Sequence, residues 1–261
     1  MTIYNFTVYF LILARIASFM GTSLIFSVRG LPNLLKVGFA VILSILLYPI
    51  AHADVFVEPT LIGYVLQVVF EVIFGLALGF TTNIIFIAMQ MGGQLIDFQI
   101  GFSMASVYDP LTKNKVSLYG RLYYWMGLAL FFAVDAHHYL VYVMARMFEI
   151  LPVGGVVTEH LKAADVIFLF TSSFRTAFQI AVPLLLILFM TDVIMGMLAR
   201  TVPQLNVFIL GLPLKVLIGV SASILLMPSI IRMMIPVIES IPFQLEKLME
   251  VLAVLYMGGW S

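Results

Sequence analysis

"LIGYVLQVVFEVIFGLALGFTTNIIFIAMQM" (Leu61–Met91) carries a single charged residue, Glu71, among thirty-one positions. Wound as an α-helix at 1.5 Å per residue it would run about 46 Å. A hydrocarbon core of about 30 Å is crossed by roughly 20 apolar residues. The stretch therefore reads as a membrane helix long enough to tilt or to protrude.

Five further segments have the same character: residues 3–26, 34–50, 117–148, 166–199 and 207–236. The second is short; the fifth in chain order is long. Pro183 interrupts that fifth segment, and Pro213 and Pro228 interrupt the last. Each proline removes a backbone donor and kinks its helix. In lipid the freed carbonyls need other partners, so the kinks are expected to face protein. The fold class that follows is an all-α membrane protein of about six long, kinked helices arranged as hairpins.

Composition agrees. The chain has 261 residues, 63% of them hydrophobic and 10% charged. A soluble domain is nearer half apolar and a quarter charged, so this chain could not cover its surface with polar groups. Its formal net charge is zero, without the basic stripe of a nucleic-acid-binding protein. It has no cysteine, which excludes disulfides, thiolate zinc sites and thiol catalysis and leaves the redox compartment unreadable. "MTIYNFTVYFLILARIASFM" (Met1–Met20) lacks a basic leader region and carries Arg15. It reads as a retained first membrane segment rather than a signal peptide. Lysine and arginine favour loops one, three and five on the inside; Arg29, Lys36, Lys113, Lys115, Arg121 and Arg200 lie in or beside them.

Charges within the apolar runs are the next signal. Arg15, Glu71, Asp135, Arg175, Asp192 and Lys215 are spread over several segments with mixed sign. A transporter would gather such groups near one depth; scattered ones point to structural pairing or subunit contact. Arg175 and Lys215 are the pair expected to serve assembly. Gly75 and Gly79 form a G-x-x-x-G, a face on which another helix can pack closely. "VDAHHYL" (Val134–Leu140) is the only candidate metal or proton site. Asp135 and His138 share a helix face there, whereas His137 points about 100° away. Zinc asks for three or four convergent ligands, so a structural role is the simpler reading, with no metal or cofactor. No motif of a hydrolase or a nucleotide-binding protein is present, and no enzymatic function is expected.

Two connections stand out. In "ARTVPQLNVF" (Ala199–Phe208) Arg200 would complement a helix C-terminus. Thr201 and Gln204 have capping-box spacing, Pro203 suits a first turn, and Asn206 is exposed by the same tight hairpin. In "GFSMASVYDPLTKNK" (Gly101–Lys115), Gly101 together with Gly92 and Gly93 permits bends. Asp109–Pro110 marks a turn, with Asp109 a plausible cap for the next helix. The run "FQIGFSMASVY" is apolar enough to stay buried yet too broken to span. Either a re-entrant plug or an interfacial segment fits that composition.

"GFSMASVYDP" and "RTVPQLNVFILGLPLK" together resemble the flagellar biosynthetic protein FliR family, which has injectisome relatives in type III secretion. "LPNLLKVGFAVILSILLYP", "GLALGF", "HHYL" and "LPVGG" support the likeness, which covers nearly the whole chain. Asp135-Ala136 departs from the family's frequent Asn-Gly and puts the local turn in question. The resemblance implies a non-enzymatic, pore-forming subunit of the flagellar export gate, stable in a hetero-oligomer at the basal body in the bacterial inner membrane. It implies FliP and FliQ as fellow gate subunits, FlhB and FlhA beside them, and exported flagellar proteins as transient substrates, with lipid around it and no nucleic acid. It implies a FliP-like part over about 1–150 and a FliQ-like hairpin part over about 151–261. Residues 101–117 would be the pore plug, with Gly101, Phe102, Met104, Val107, Tyr108, Asp109 and Pro110 forming its seal and turn. A small proton- or ion-coupled transporter using Glu71, Asp135 and Asp192 is the alternative.

Overall fold

The computed structural model describes all residues except 1–2, 24–25, 27–31, 52–54, 56, 103–116, 155–162, 203–206 and 258–261. The described residues form helices α1 (Ile3–Thr22), α2 (Asn33–Ala51), α3 (Leu61–Ile100), α4 (Leu118–Ala133), α5 (Ala136–Ile150), α6 (Ala163–Thr201), α7 (Val207–Glu239) and α8 (Ile241–Met257). Five helical stretches are long and apolar enough to cross a membrane, or six if α4 and α5 count as one broken span. That matches the six apolar segments of the sequence.

Three details differ from expectation. The 117–148 segment is two helices, bent by 75° at a short break. The cause is Asp135, which takes a left-handed backbone (φ 56) that Asp and Asn tolerate better than most side chains. The Asp-Ala departure therefore still builds its turn. Second, α3 continues past Met91 to Ile100, so Gly92 and Gly93 are not bends. A Cβ at Gly92 would lie 2.8 Å from the carbonyl oxygen of Ala177, and one at Gly93 would overlap the Tyr119 carbonyl. These glycines admit neighbouring backbones. Third, α7 extends past the expected end at 236 to Glu239, with Pro236 inside it as well as the expected Pro213 and Pro228.

The chain folds as two compact units that interleave along the sequence. The first comprises residues 1–85, 135–169 and 239–261. Its core begins with Val8, Leu11, Ile12, Ile16, Phe19 and Met20 of α1, all buried at the three-and-four spacing of one helix face. Phe74 and Leu78 of α3, Val143 and Met147 of α5, and Leu245 and Met249 of α8 complete it. The G-x-x-x-G works as expected. A Cβ on Gly75 would overlap the Arg15 carbonyl and the Ser18 side chain, and one on Gly79 the Phe19 carbonyl and Thr22. Two missing side chains let α1 and α3 cross backbone against backbone.

The second unit comprises residues 86–134 and 170–238. Phe86, Met89 and Ile96 of α3, Tyr123 and Phe131 of α4, Ala177 and Leu184 of α6, and Met234 of α7 are buried in it. Phe86 and Phe131 meet edge to face with centroids 5.9 Å apart.

Much apolar surface is left over. In each spanning helix only 22–39% of the most apolar window is buried inside the chain. Leu34, Leu61, Ile62 and Leu225 are three-quarters exposed or more. Contiguous apolar surface on this scale is covered by lipid or by another protein.

Candidate functional site

The segment singled out by sequence is bounded by described residues at both ends. Gly101 closes α3: its N–H donates to the Asp97 carbonyl at 3.1 Å, and its φ of 100 is one that glycine adopts without penalty. Ser117 caps α4, accepting from the Gly120 N–H at 2.8 Å. The two ends are joined by Asp97, which is buried. Its carboxylate accepts from the Tyr119 N–H at 3.1 and 3.2 Å and from the Ser117 hydroxyl. Asp97 thus satisfies an orphan donor of α4 and sets a negative charge at that helix's positive end. Phe102 stacks on Tyr119 with centroids 6.5 Å apart. The Tyr119 hydroxyl bonds Ser223 of α7 at 2.9 Å.

Of the residues assigned to the plug, Gly101 and Phe102 lie at the end of α3. Met104, Val107, Tyr108, Asp109 and Pro110 fall outside the described residues. Asp97, Ser117 and Tyr119 were missed by sequence reasoning. A lone acid in "LIDFQIGF" followed by a serine three residues before a glycine was the available signal.

The scattered charges mostly find partners within the chain. Arg15 and Glu71 form a fully buried ion pair, with one guanidinium nitrogen 3.0 Å from Glu71 Oε1. Arg15 also donates to the Leu151 carbonyl at 2.6 Å and to that of Pro152 at 3.3 Å. Glu71 accepts from the Gly154 N–H at 2.8 Å, and Gln67 donates to the Gly154 carbonyl at 2.8 Å. The rings of Phe148 and Phe74 lie 5.0 and 5.4 Å from the guanidinium carbon. "LPVG" is thereby held by one charge pair, and its turn uses Gly154 at φ 87. Lys215 of α7 pairs with Asp192 of α6 at 2.8 Å, and Gln99 of α3 donates to the same carboxylate at 2.8 Å. This node fixes the register of three helices. Arg175 is different: it is exposed on α6 and has no acidic partner among the described residues.

At the hairpin, Arg200 lies in the last turn of α6 as expected, where a cation complements the dipole. Thr201 does not cap the next helix. It is the last residue of α6, and its hydroxyl donates back to the Met197 and Leu198 carbonyls at 3.3 and 3.2 Å. Helical backbone at Thr201 leaves its hydroxyl nearer the preceding turn than the following one. Pro203, Gln204 and Asn206 lie outside the described residues.

Asp135, His137 and His138 have ligand-capable atoms within 4.8 Å of one another. The His138 Nδ1 is 3.7 Å from the Asp135 carboxylate. The exposed Asp135 and His138 side chains keep water as a ready competitor for any ion.

Apolar helices joined by short breaks, with polar groups spent on pairing one helix to another, define an all-α integral membrane protein. The profile described as "Bacterial export proteins, family 1" matches residues 6–241. The chain belongs to that family. It is similar to the flagellar biosynthetic protein FliR of Bacillus subtilis, 34% identical over 217 residues that cover 82% of this chain and 83% of the other. The Escherichia coli protein of the same name is 31% identical over 230 residues, 85% of each chain. The secretion system apparatus protein SsaT of Salmonella typhimurium is 27% identical over 149 residues, 56% of each.

Proposed function

We propose that this chain is a structural, pore-forming subunit of the flagellar type III protein export gate, working in the bacterial inner membrane at the flagellar basal body. The observation that carries the reading is the likeness, over most of the chain, to proteins named for flagellar biosynthesis, 34% identical over 82% of this chain in the Bacillus subtilis case. The uncovered apolar faces of its spanning helices support a subunit that is completed by neighbours. FliP and FliQ are the proposed neighbours, with FlhB and FlhA alongside and flagellar proteins as the cargo. In this reading residues 1–150 are the FliP-like part and 151–261 the FliQ-like part.

Residues 101–117 are the proposed plug, with Phe102, Met104, Val107 and Tyr108 as an apolar seal, because a dry constriction blocks ions without binding them. The neck at Asp97 supports this: chain that leaves and returns through one anchored point can enter a pore without disturbing its helices. Two of the carboxylates that a transporter would use are engaged elsewhere. Glu71 is buried against Arg15, and Asp192 is paired with Lys215.

Co-purification tests the reading. Tagged chain expressed with FliP and FliQ should bring both down and restore motility to a strain lacking its own copy. Deleting 103–116 should leave that complex intact but make membranes conduct ions when export is idle. Failure to recover FliP or FliQ sinks the gate assignment. An assembled deletion as tight as wild type sinks only the plug.

A further inference from the structure

Between α6 and α7 the second unit has an open groove of about 410 Å³, lined by Thr176, Gln179, Ile180, Val182, Met233 and Val237. That volume lies in the range of small-molecule sites, about 300–1,000 Å³. Its chemistry is graded along α6. "TSSFRT" (Thr171–Thr176) is polar, whereas Ala177–Met190 is apolar apart from Gln179. Arg175 sits at the polar end. The lining begins at Thr176, and Arg175 lies beside it, four residues before Gln179 and seven before Val182 on one row of α6. Its guanidinium is exposed and has no ion pair among the described residues. An unpaired cation in a membrane helix demands a partner.

We propose that this groove binds an anionic phospholipid, its phosphate on Arg175 and Thr176 and an acyl chain along Ile180, Val182 and Met233. One amphiphile meets both ends of the gradient: a phosphate for the free guanidinium and hydrocarbon for the apolar wall. The site does not rest on the export reading, since it uses only α6 and α7 of this chain.

The test uses the full chain, purified with its co-purifying subunits, in nanodiscs of phosphatidylglycerol or phosphatidylcholine. Bound lipid is counted by native mass spectrometry. Both lipids carry the phosphate, but choline's fixed positive charge offsets it in phosphatidylcholine, so wild type should retain phosphatidylglycerol by up to about fivefold. Arg175→Gln should erase that preference, and Arg175→Lys should keep most of it. Gln179→Trp, which fills the groove, should lower retention of both lipids. Equal retention of the two lipids by wild type would overturn the proposal, as would an Arg175→Gln protein that still prefers phosphatidylglycerol. Millimolar inorganic phosphate binding as well as the lipid would reduce the site to an anion site. A cross-link from position 175 to another subunit, with lipid retention unchanged, would assign Arg175 to a protein carboxylate instead.

Discussion

Replacing Glu71 with alanine should be among the most damaging single changes in the first unit. Arg15 has no exposed surface, so its guanidinium would stay buried with only the Leu151 and Pro152 carbonyls to solvate it. Removing one member of a buried pair costs about 3–5 kcal/mol. The Gly154 N–H would also lose its acceptor, adding about 1–3 kcal/mol. The double change Arg15→Met with Glu71→Met removes both charges and keeps the volume. It still orphans the Gly154 N–H and the loop carbonyls, so it should recover part of the loss and not all. In detergent the apparent melting temperature of Glu71→Ala should fall by roughly 10–30 °C, taking about 2–4 °C per kcal/mol for chains of this size. The double variant should lie between it and wild type. A single variant as stable as wild type, or a double variant worse than the single one, would show that charge burial is not what holds "LPVG" in place.

Other perturbations follow from the same geometry. Gly79→Leu should separate α1 from α3, because its Cβ would meet the Phe19 backbone, and cost about 1–3 kcal/mol; reduced recovery of folded protein checks it, and full recovery refutes the close crossing. Ser117→Ala removes the cap of α4 and one donor to Asp97, at about 1 kcal/mol; faster amide exchange at Tyr119 and Gly120 is the expected signature, and unchanged protection would count against the cap. Thr201→Ala should change stability by less than about 0.5 kcal/mol, since among the described residues its hydroxyl bonds back into its own helix. A marked loss of assembly in that variant would point to a subunit contact at the turn.

The fold was legible where hydrophobicity alone decides it. Long apolar runs such as Leu61–Met91 leave a chain little choice but helix in a membrane, and Gly75 with Gly79 declared a crossing by the absence of side chains. What sequence did not reveal depends on residues far apart meeting. Arg15 and Glu71 are 56 positions apart, and nothing local says that one answers the other. Gly92 and Gly93 looked like bends because glycine permits bending. The Ala177 and Tyr119 carbonyls lying against them show that they stand in the helix to admit neighbouring backbones. Thr201 fits two motifs by spacing, and the backbone conformation that chooses between them is set by where α6 ends. Asp97 was invisible for the same reason: its role exists only once α4 has come back beside α3.

Asp97, Ser117 and the stacked Phe102–Tyr119 pair bring the end of α3 to the start of α4, so these two helix ends carry contacts of their own. Closing a loop whose ends are already anchored costs only about 0.6 kcal/mol more for each doubling of its residues. On that scale a change in the length of residues 103–116 would add little to the cost of holding α3 beside α4, whatever it did to the proposed seal. For the experimenter the same neck is a place where an inserted protease site or epitope would perturb the proposed plug while leaving the contacts of Asp97 as they are.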